Sequence, residues 1–277
     1  MKILIVGLGL IGGAYAKKLT ELGHIVYGSN HRQKSIDFAL ENKYIKEGNI
    51  DPTNYIKNVD LIILGTYPSH ILDFINKYKH LFTKDLVITD VCGVKSKYLL
   101  EATNNSLPAT YLSHHPMAGR EKKGIEFSHL VSFDQANYII TTVNNYKYSD
   151  YAYNMINNLG VELGFKNIKE LNYLDHDFMI GYTSQLAHAI AVSLVNSDTK
   201  ENTKYFIGDS YRDLTRIAMI NEIMWTELFL ENKDFLIQNI DNFMNELQKI
   251  RDAIKNNDTE TLKELFIKST NRRKEMI

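Results

Sequence analysis

The sequence predicts an α/β protein in which a doubly wound, mostly parallel sheet is followed by an all-helical C-terminal domain. Three observations carry this. Short β-branched runs alternate with longer amphipathic segments through the first 166 or so residues, a glycine-rich turn joins the first run to the first helix, and the strand pattern then gives way to helical periodicity.

Taken in order, the strand runs are Lys2–Val6, His24–Gly28, Asp60–Gly65, Asp85–Thr89, Thr110–Ser113 and Ala136–Thr141. Several are apolar almost throughout, as strands covered on both faces must be. Between them lie helical patterns at Leu10–Leu22, Gln33–Glu41, Ser69–Lys79, Ser96–Asn104 and Ser149–Leu159. Strict alternation implies right-handed crossovers, which put ligands at the carboxyl ends of the strands. Further on, Leu171–Val195, Gly208–Ile220, Trp225–Phe229, Lys233–Ile254 and Thr259–Ser269 each carry an apolar helical stripe. The chain is therefore divided into residues 1–167 and 168–277, and with no Pro/Gly/Ser-rich linker the two parts should pack closely.

The turn Gly7-Leu8-Gly9-Leu10-Ile11-Gly12 matches G-x-G-x-x-G in its required setting, after an apolar strand and at the start of a helix. Gly7 permits the tight turn, Gly9 lets backbone approach a pyrophosphate, and Gly12 lets the helix pack against the strand. The free N–H groups at the helix start would receive the phosphates. This is a Rossmann-type dinucleotide site, with Gly7, Gly9, Leu10, Ile11 and Gly12 as cofactor residues and Thr66, after the third strand run, beside them. At the end of the second run stand Asn30, His31 and Arg32, where NAD enzymes place an acid for the ribose 2′-hydroxyl. An amide does not repel a 2′-phosphate and Arg32 could pair with one, so both NAD and NADP stay open.

Composition excludes several classes. The 277 residues carry 32 basic and 33 acidic side chains, a net charge of −1, which gives no electrostatic case for a nucleic-acid or anionic-membrane partner. The N-terminal apolar stretch is too short to span a bilayer and lacks a signal-peptide layout, and no other stretch is expected to span one. A single cysteine, Cys92, forbids an intrachain disulfide and fits a cytoplasmic protein. The histidines show no metal-ligand spacing, so no metal is expected.

Three segments fall where strand ends meet the helical part: Asp90-Val91-Cys92-Gly93-Val94-Lys95; Ser113-His114-His115-Pro116-Met117-Ala118-Gly119-Arg120-Glu121; and His176-Asp177, Ser184-Gln185-Leu186-Ala187-His188 and Tyr211-Arg212-Asp213-Leu214-Thr215-Arg216. Together with Gly-Leu-Gly-Leu-Ile-Gly-Gly at the start, Arg-Asp-Leu-Thr-Arg-Ile-Ala at 212–218, and Trp225 with Phe229-Leu230-Glu231-Asn232, these blocks in this order resemble the prephenate dehydrogenase family over nearly the whole chain. The related arogenate dehydrogenases share most of them.

The resemblance implies a homodimer formed through the helical domain, a small-molecule substrate, and the oxidative decarboxylation of prephenate to 4-hydroxyphenylpyruvate with hydride transfer to NAD(P). It implies His115 as acceptor of the substrate hydroxyl proton, a role suited to a group that titrates near neutrality. His114 should face the other way and be structural. Arg216 should clamp a substrate carboxylate in a bidentate fork, with Arg212 a second candidate; the competing reading is of helix-surface pairs Asp213–Arg216 and Asp209–Arg212. Ser184, Gln185 and His188 share a helix face expected to look into the cleft. Glu121 is expected either to close the site, as in the family, or to be a solvated loop acid; Lys95 either to hold positive charge near the nicotinamide or simply to start the next helix; and Trp225 to pack between helices. Two departures from the family pattern stand out: Gln185 where many members carry histidine, and Gly93 where many carry a serine that supports the catalytic histidine. Water, backbone or Cys92 could replace that hydroxyl. The rival readings are an arogenate dehydrogenase, another hydroxyacid-type dehydrogenase with a helical second domain, and a non-catalytic dinucleotide sensor.

Overall fold

A computed structural model of the chain describes residues 1–104, 107–119 and 121–276. Among these, six parallel strands form one sheet in the order β3-β2-β1-β4-β5-β6: β1 (Lys2–Val6), β2 (Ile25–Ser29), β3 (Glu47–Gly48), β4 (Leu61–Leu64), β5 (Val87–Asp90) and β6 (Thr110–Tyr111). The crossover helices are α1 (Leu10–Glu21), α2 (Gln33–Glu41), α3 (Thr53–Ile56), α4 (Pro68–Tyr78) and α5 (Ser96–Asn104). The expected doubly wound sheet is present, and β3 is an addition too short to leave a pattern.

The central strands explain the sheet. Ile3 and Ile5 enter one apolar core with Tyr15, Leu19 and Ile36, while Leu4 and Val6 enter a second core with Ile62, Ile71 and Ile75. Period-two alternation thus feeds a layer on each face. Strand order reverses between β1 and β4, where Gly7 and Gly65 donate to the carbonyls of Ser29 and Val6. This switch point is where a doubly wound sheet opens its crevice.

The run Thr110–Ser113 does not continue as one strand. Its chain leaves the first sheet at Leu112, and β7 (Ser113–Pro116) pairs antiparallel with β8 (Asn137–Thr142). After α6 (Asp150–Leu163), β9 (Asn167–Asn172) pairs parallel with β8 over its whole length. This corrects the division drawn at 167/168: the ladder keeps residues 168–172 with the α/β part. The strand was not legible because it lies at the sheet edge and reads Asn-Ile-Lys-Glu-Leu-Asn, with little apolar face.

The remainder is helical: α7 (Tyr173–Ile180), a π-turn at Gly181–Gln185, α8 (Leu186–Asn196), α9 (Asp209–Thr215), a 3₁₀ turn at Arg216–Ala218, α10 (Glu222–Glu231), α11 (Lys233–Lys255) and α12 (Thr259–Lys274). The helical run Tyr173–Asn196 is long and apolar enough to cross a membrane by length and composition, with mean hydropathy 1.4, contrary to the sequence expectation. It also carries buried His176, Asp177 and Gln185, all hydrogen-bonded to neighbouring elements. Those pairings tie it into the protein's own polar framework.

Candidate active site

The glycine turn matches the demands read from its spacing. Gly7 has φ +97°, and a Cβ there would stand 2.4 Å from the Gly65 carbonyl oxygen. A Cβ on Gly12 would stand 1.9 Å from the Gly7 oxygen, so the helix can approach the turn only through glycine. Gly9, the N-cap of α1, is different: a Cβ there meets no described heavy atom within 4 Å. With space beside Gly9 and no side-chain cap on α1, the helix start offers a ready seat for phosphate. Beside the turn, the Thr66 hydroxyl oxygen is buried and has no hydrogen-bond partner among the described residues. An open cradle and an orphaned hydroxyl fit a dinucleotide. Leu10 and Ile11 open α1, and Asn30, His31 and Arg32 follow β2 at the same sheet edge.

His115 lies within β7 opposite Ile139 and is partly exposed. Its Nδ1 is 2.9 Å from Nε2 of His176, whose Nδ1 is 2.7 Å from Oδ1 of Asp177. Both Asp177 oxygens also accept the Lys95 backbone N–H, at 2.9 and 3.0 Å. Burial, with His176 alongside, holds the His115 imidazolium well below its usual pKa, and burial lowers His176 against the pull of Asp177. A Cβ at Gly93 would be 3.8 Å from His115 Cε1 and 3.9 Å from Nε2. A serine there would reach the ring, but in this chain the ring is held from its other edge, by His176. Cys92 does not substitute: its thiol donates to the Thr66 carbonyl at 3.2 Å, and burial pushes its pKa up.

His114 points into the core as expected, between Tyr15 Oη at 2.9 Å and Thr89 Oγ1 at 2.7 Å, and burial lowers its pKa to about 3. Lys95 stands directly before α5, in line with the second of its two readings. Its side chain is fully buried, and Nζ donates to Asp90 at 2.7 Å and to the His114 carbonyl at 2.8 Å. Its charge is committed inside the protein and does not face a nicotinamide. Burial would raise the Asp90 pKa, but Lys95 and the donated hydrogen bonds outweigh it and hold the carboxyl below its usual value.

From the helical part, His188 Nδ1 lies 2.9 Å from the Ser184 carbonyl, and the His188 ring packs against Trp225 with centroids 3.7 Å apart and planes tilted by 31°. Trp225 thus sits between helices and braces a site histidine. Burial lowers the His188 pKa, and Glu121 and Arg216 act on it electrostatically. Arg216 pairs with Glu121, not with Asp213. Arg212 pairs with Asp209 on its own helix, the alternative weighed from spacing, and both side chains are exposed. Ser184 is half-buried beside them.

Gln185 also departs from its expectation. The π-turn shifts the helix register, and Gln185 is buried, donating to the Leu228 carbonyl at 2.8 Å and accepting from Asn232 at 2.7 Å. Asn232 donates in turn to the Asp177 carbonyl at 2.9 Å. Gln185 is a strut of this network, not an open substrate ligand. The loop between β7 and β8 carries Glu121 to Arg216, while Arg120 of the same motif lies outside the described residues. The sequence reading assigned no role to His176 or Asp177. Their signal was an adjacent His-Asp pair in an apolar helix.

Two family models match the chain: "Prephenate dehydrogenase, nucleotide-binding domain" over residues 15–164 and "Prephenate dehydrogenase, dimerization domain" over residues 174–268. Prephenate dehydrogenase of Bacillus subtilis is 30% identical over 276 residues, covering 95% of this chain and 73% of that protein. The Lactococcus lactis prephenate dehydrogenase is 29% identical, covering 96% and 74%. Among solved structures, Aquifex aeolicus prephenate dehydrogenase in complex with hydroxyphenyl propionate and NAD+ matches with TM-score 0.87 and 27% identity, over 100% of this chain and 98% of that one.

Proposed function

The chain belongs to the prephenate dehydrogenase family, and we propose that it carries out the oxidative decarboxylation of prephenate to 4-hydroxyphenylpyruvate in tyrosine biosynthesis, as an NAD(P)-dependent enzyme. The nicotinamide supplies the hydride acceptor. The glycine turn, the start of α1 and Thr66 hold the dinucleotide, with Asn30, His31 and Arg32 at the ribose end.

His115 accepts the substrate hydroxyl proton at Nε2 as the ring carbon gives up its hydride. The ring carboxylate departs as carbon dioxide, the electron pair of the broken C–C bond makes the ring aromatic, and the phenolate oxygen so formed takes the proton back from His115. Arg216 grips a substrate carboxylate, exchanging part of its pairing with Glu121 for the ligand. His188, with Nδ1 turned to the Ser184 carbonyl, presents Nε2 to the substrate. The observation that carries this reading is His115 Nε2 opening beside the bare Gly93 while Nδ1 is engaged from behind.

A homodimer in the cytoplasm completes the proposal. Its support is the match to a dimerization domain and a set of exposed apolar side chains on the helical part, Phe206 at 85% and Met219 at 79% among them. The direct test is to incubate purified protein with prephenate in parallel with NAD and NADP, follow nicotinamide reduction and identify the product. Formation of 4-hydroxyphenylpyruvate is expected. Reduction with arogenate but not prephenate overturns the substrate assignment, and the faster cofactor defines the part played by Asn30 and Arg32.

A further inference from the structure

We propose that His176, fixed by Asp177, is a positioning residue that sets the tautomer of His115 and supports the charge His115 acquires in turnover. The inference rests on the reading of His115 as proton acceptor and adds to it the groups that make that nitrogen available.

Hydrogen-bond direction follows link by link. The Asp177 carboxylate can only accept, so the 2.7 Å contact requires the proton on His176 Nδ1. A neutral His176 then has a bare Nε2, which must accept. The 2.9 Å contact to His115 therefore places the second proton on His115 Nδ1. His115 Nε2 is left as a lone pair on the edge facing Gly93. A general base needs that lone pair, and a free imidazole would spend part of its time in the other tautomer.

The surroundings hold this polarity. Asp177 is anchored by the Lys95 N–H on both oxygens, and its carbonyl is held by Asn232 from the start of α11. His176 is 1% exposed and Asp177 is fully buried, so water does not compete. Among the described residues, the charged and titratable groups around the pair include Asp177 on α7, Asp90 at the end of β5, Lys95 before α5, and His114 on β7. Lys95 and Asp90 are paired to each other, and His114 is neutral with both nitrogens bonded within the core. Asp177 is thus the carboxylate coupled directly to the histidine pair. When His115 takes the substrate proton, the cation donates through Nδ1 to a His176 whose far edge is bonded to that carboxylate.

The test uses the full-length protein. In Asp177→Asn, an amide that keeps its oxygen on the Lys95 N–H donates to His176 Nδ1, which moves the proton to Nε2 and turns the His176–His115 bond around. We expect kcat with prephenate to fall about a hundredfold, with the prephenate KM changed less than threefold. Loss of the negative charge should also move the acidic limb of kcat/KM to lower pH, because the charge favours protonated His115. His176→Gln keeps an acceptor near the Nε2 position and should retain at least tenfold more activity than His176→Leu. A measurement on the unsubstituted protein covers poorly folding variants: ¹⁵N spectra of labelled histidine should show His115 protonated at Nδ1 and bare at Nε2. The proposal is overturned by an unshifted acidic limb in a folded Asp177→Asn, by equal activities of the Gln and Leu variants, or by the opposite His115 tautomer. Inactivity of the unsubstituted enzyme toward prephenate would instead strike the functional reading, and the tautomer measurement would still decide the positioning role.

Discussion

Substituting Gly9 and Gly12 separately by alanine should divide dinucleotide binding from folding. A Cβ on Gly12 would sit 1.9 Å from the Gly7 carbonyl oxygen, against an ordinary contact of about 3.4 Å, so α1 and the turn must separate by more than an ångström. Overpacking on that scale costs about 3 kcal/mol or more, worth roughly 6–12 °C in melting temperature for a chain of this size. Gly9 lies at φ −94°, ψ −152°, which alanine adopts freely, and its Cβ would meet nothing. Losing glycine at an N-cap costs several tenths of a kcal/mol, and the reduced freedom of the unfolded chain returns a similar amount. Gly9→Ala should therefore melt within about 2 °C of the unsubstituted protein. The open space above Gly9 is where the pyrophosphate must come, and a methyl there should cost about 1.5–3 kcal/mol of charge-assisted hydrogen bonding, roughly a 10- to 150-fold weaker dinucleotide. Thermal melts and calorimetric titration with NAD and NADP decide it. Unchanged dinucleotide affinity in Gly9→Ala, or melting lowered as far as in Gly12→Ala, would refute the reasoning.

Three further outcomes are expected. His115→Ala should lower kcat by on the order of a hundredfold or more while leaving dinucleotide affinity within twofold, read by steady-state rates and calorimetry; near-normal turnover removes His115 from the chemistry. Arg216→Ala should raise the KM for prephenate by about tenfold or more with little change in that for the dinucleotide, and an unchanged KM would leave only the surface pairing with Glu121. Stability should be complete above about pH 6.5 and fall on acidification, because His114, His115 and His176 have folded pKa values below those of the unfolded chain, which then binds more protons. Urea unfolding at pH 7 and pH 5 checks the sign, and equal stability at both would contradict it.

Much of the nucleotide-binding half was readable because its information is local. A glycine turn is six consecutive residues, and the strand leading into it is a short apolar run, as a strand covered on both faces must be. The same locality explains β3 and β9. A two-residue strand has no period, and an edge strand such as Asn167–Asn172 need not be apolar, so its pairing with β8 is decided by the ladder and by the α6 crossover. At Leu112 the apolar run continues while the partner strand changes, a switch that composition does not register.

The site shows where local information ends. His115 stood out from its motif, but its partner His176 is 61 residues away, and the pairing depends on how α7 crosses β7. Gln185 and His188 share a face only on an unbroken α-helix, and the π-turn at Gly181–Gln185 removes that premise. The turn begins at a glycine: a Cβ on Gly181 would stand 3.0 Å from Asn239 Nδ2, so α11 crosses close to the helix there. Its result is to turn Gln185 inward to Asn232 while His188 stays against Trp225. Lys95 follows the same logic. From sequence it was a cation near a strand end, but the desolvation of a fully buried ammonium is tolerable only against a carboxylate, and Asp90 lies 2.7 Å away. Asp177, a different carboxylate, accepts from His176 at 2.7 Å. The residue types that departed from the family pattern, Gly93 and Gln185, flank the network in which His115 is held from the His176 side instead of by a hydroxyl at position 93.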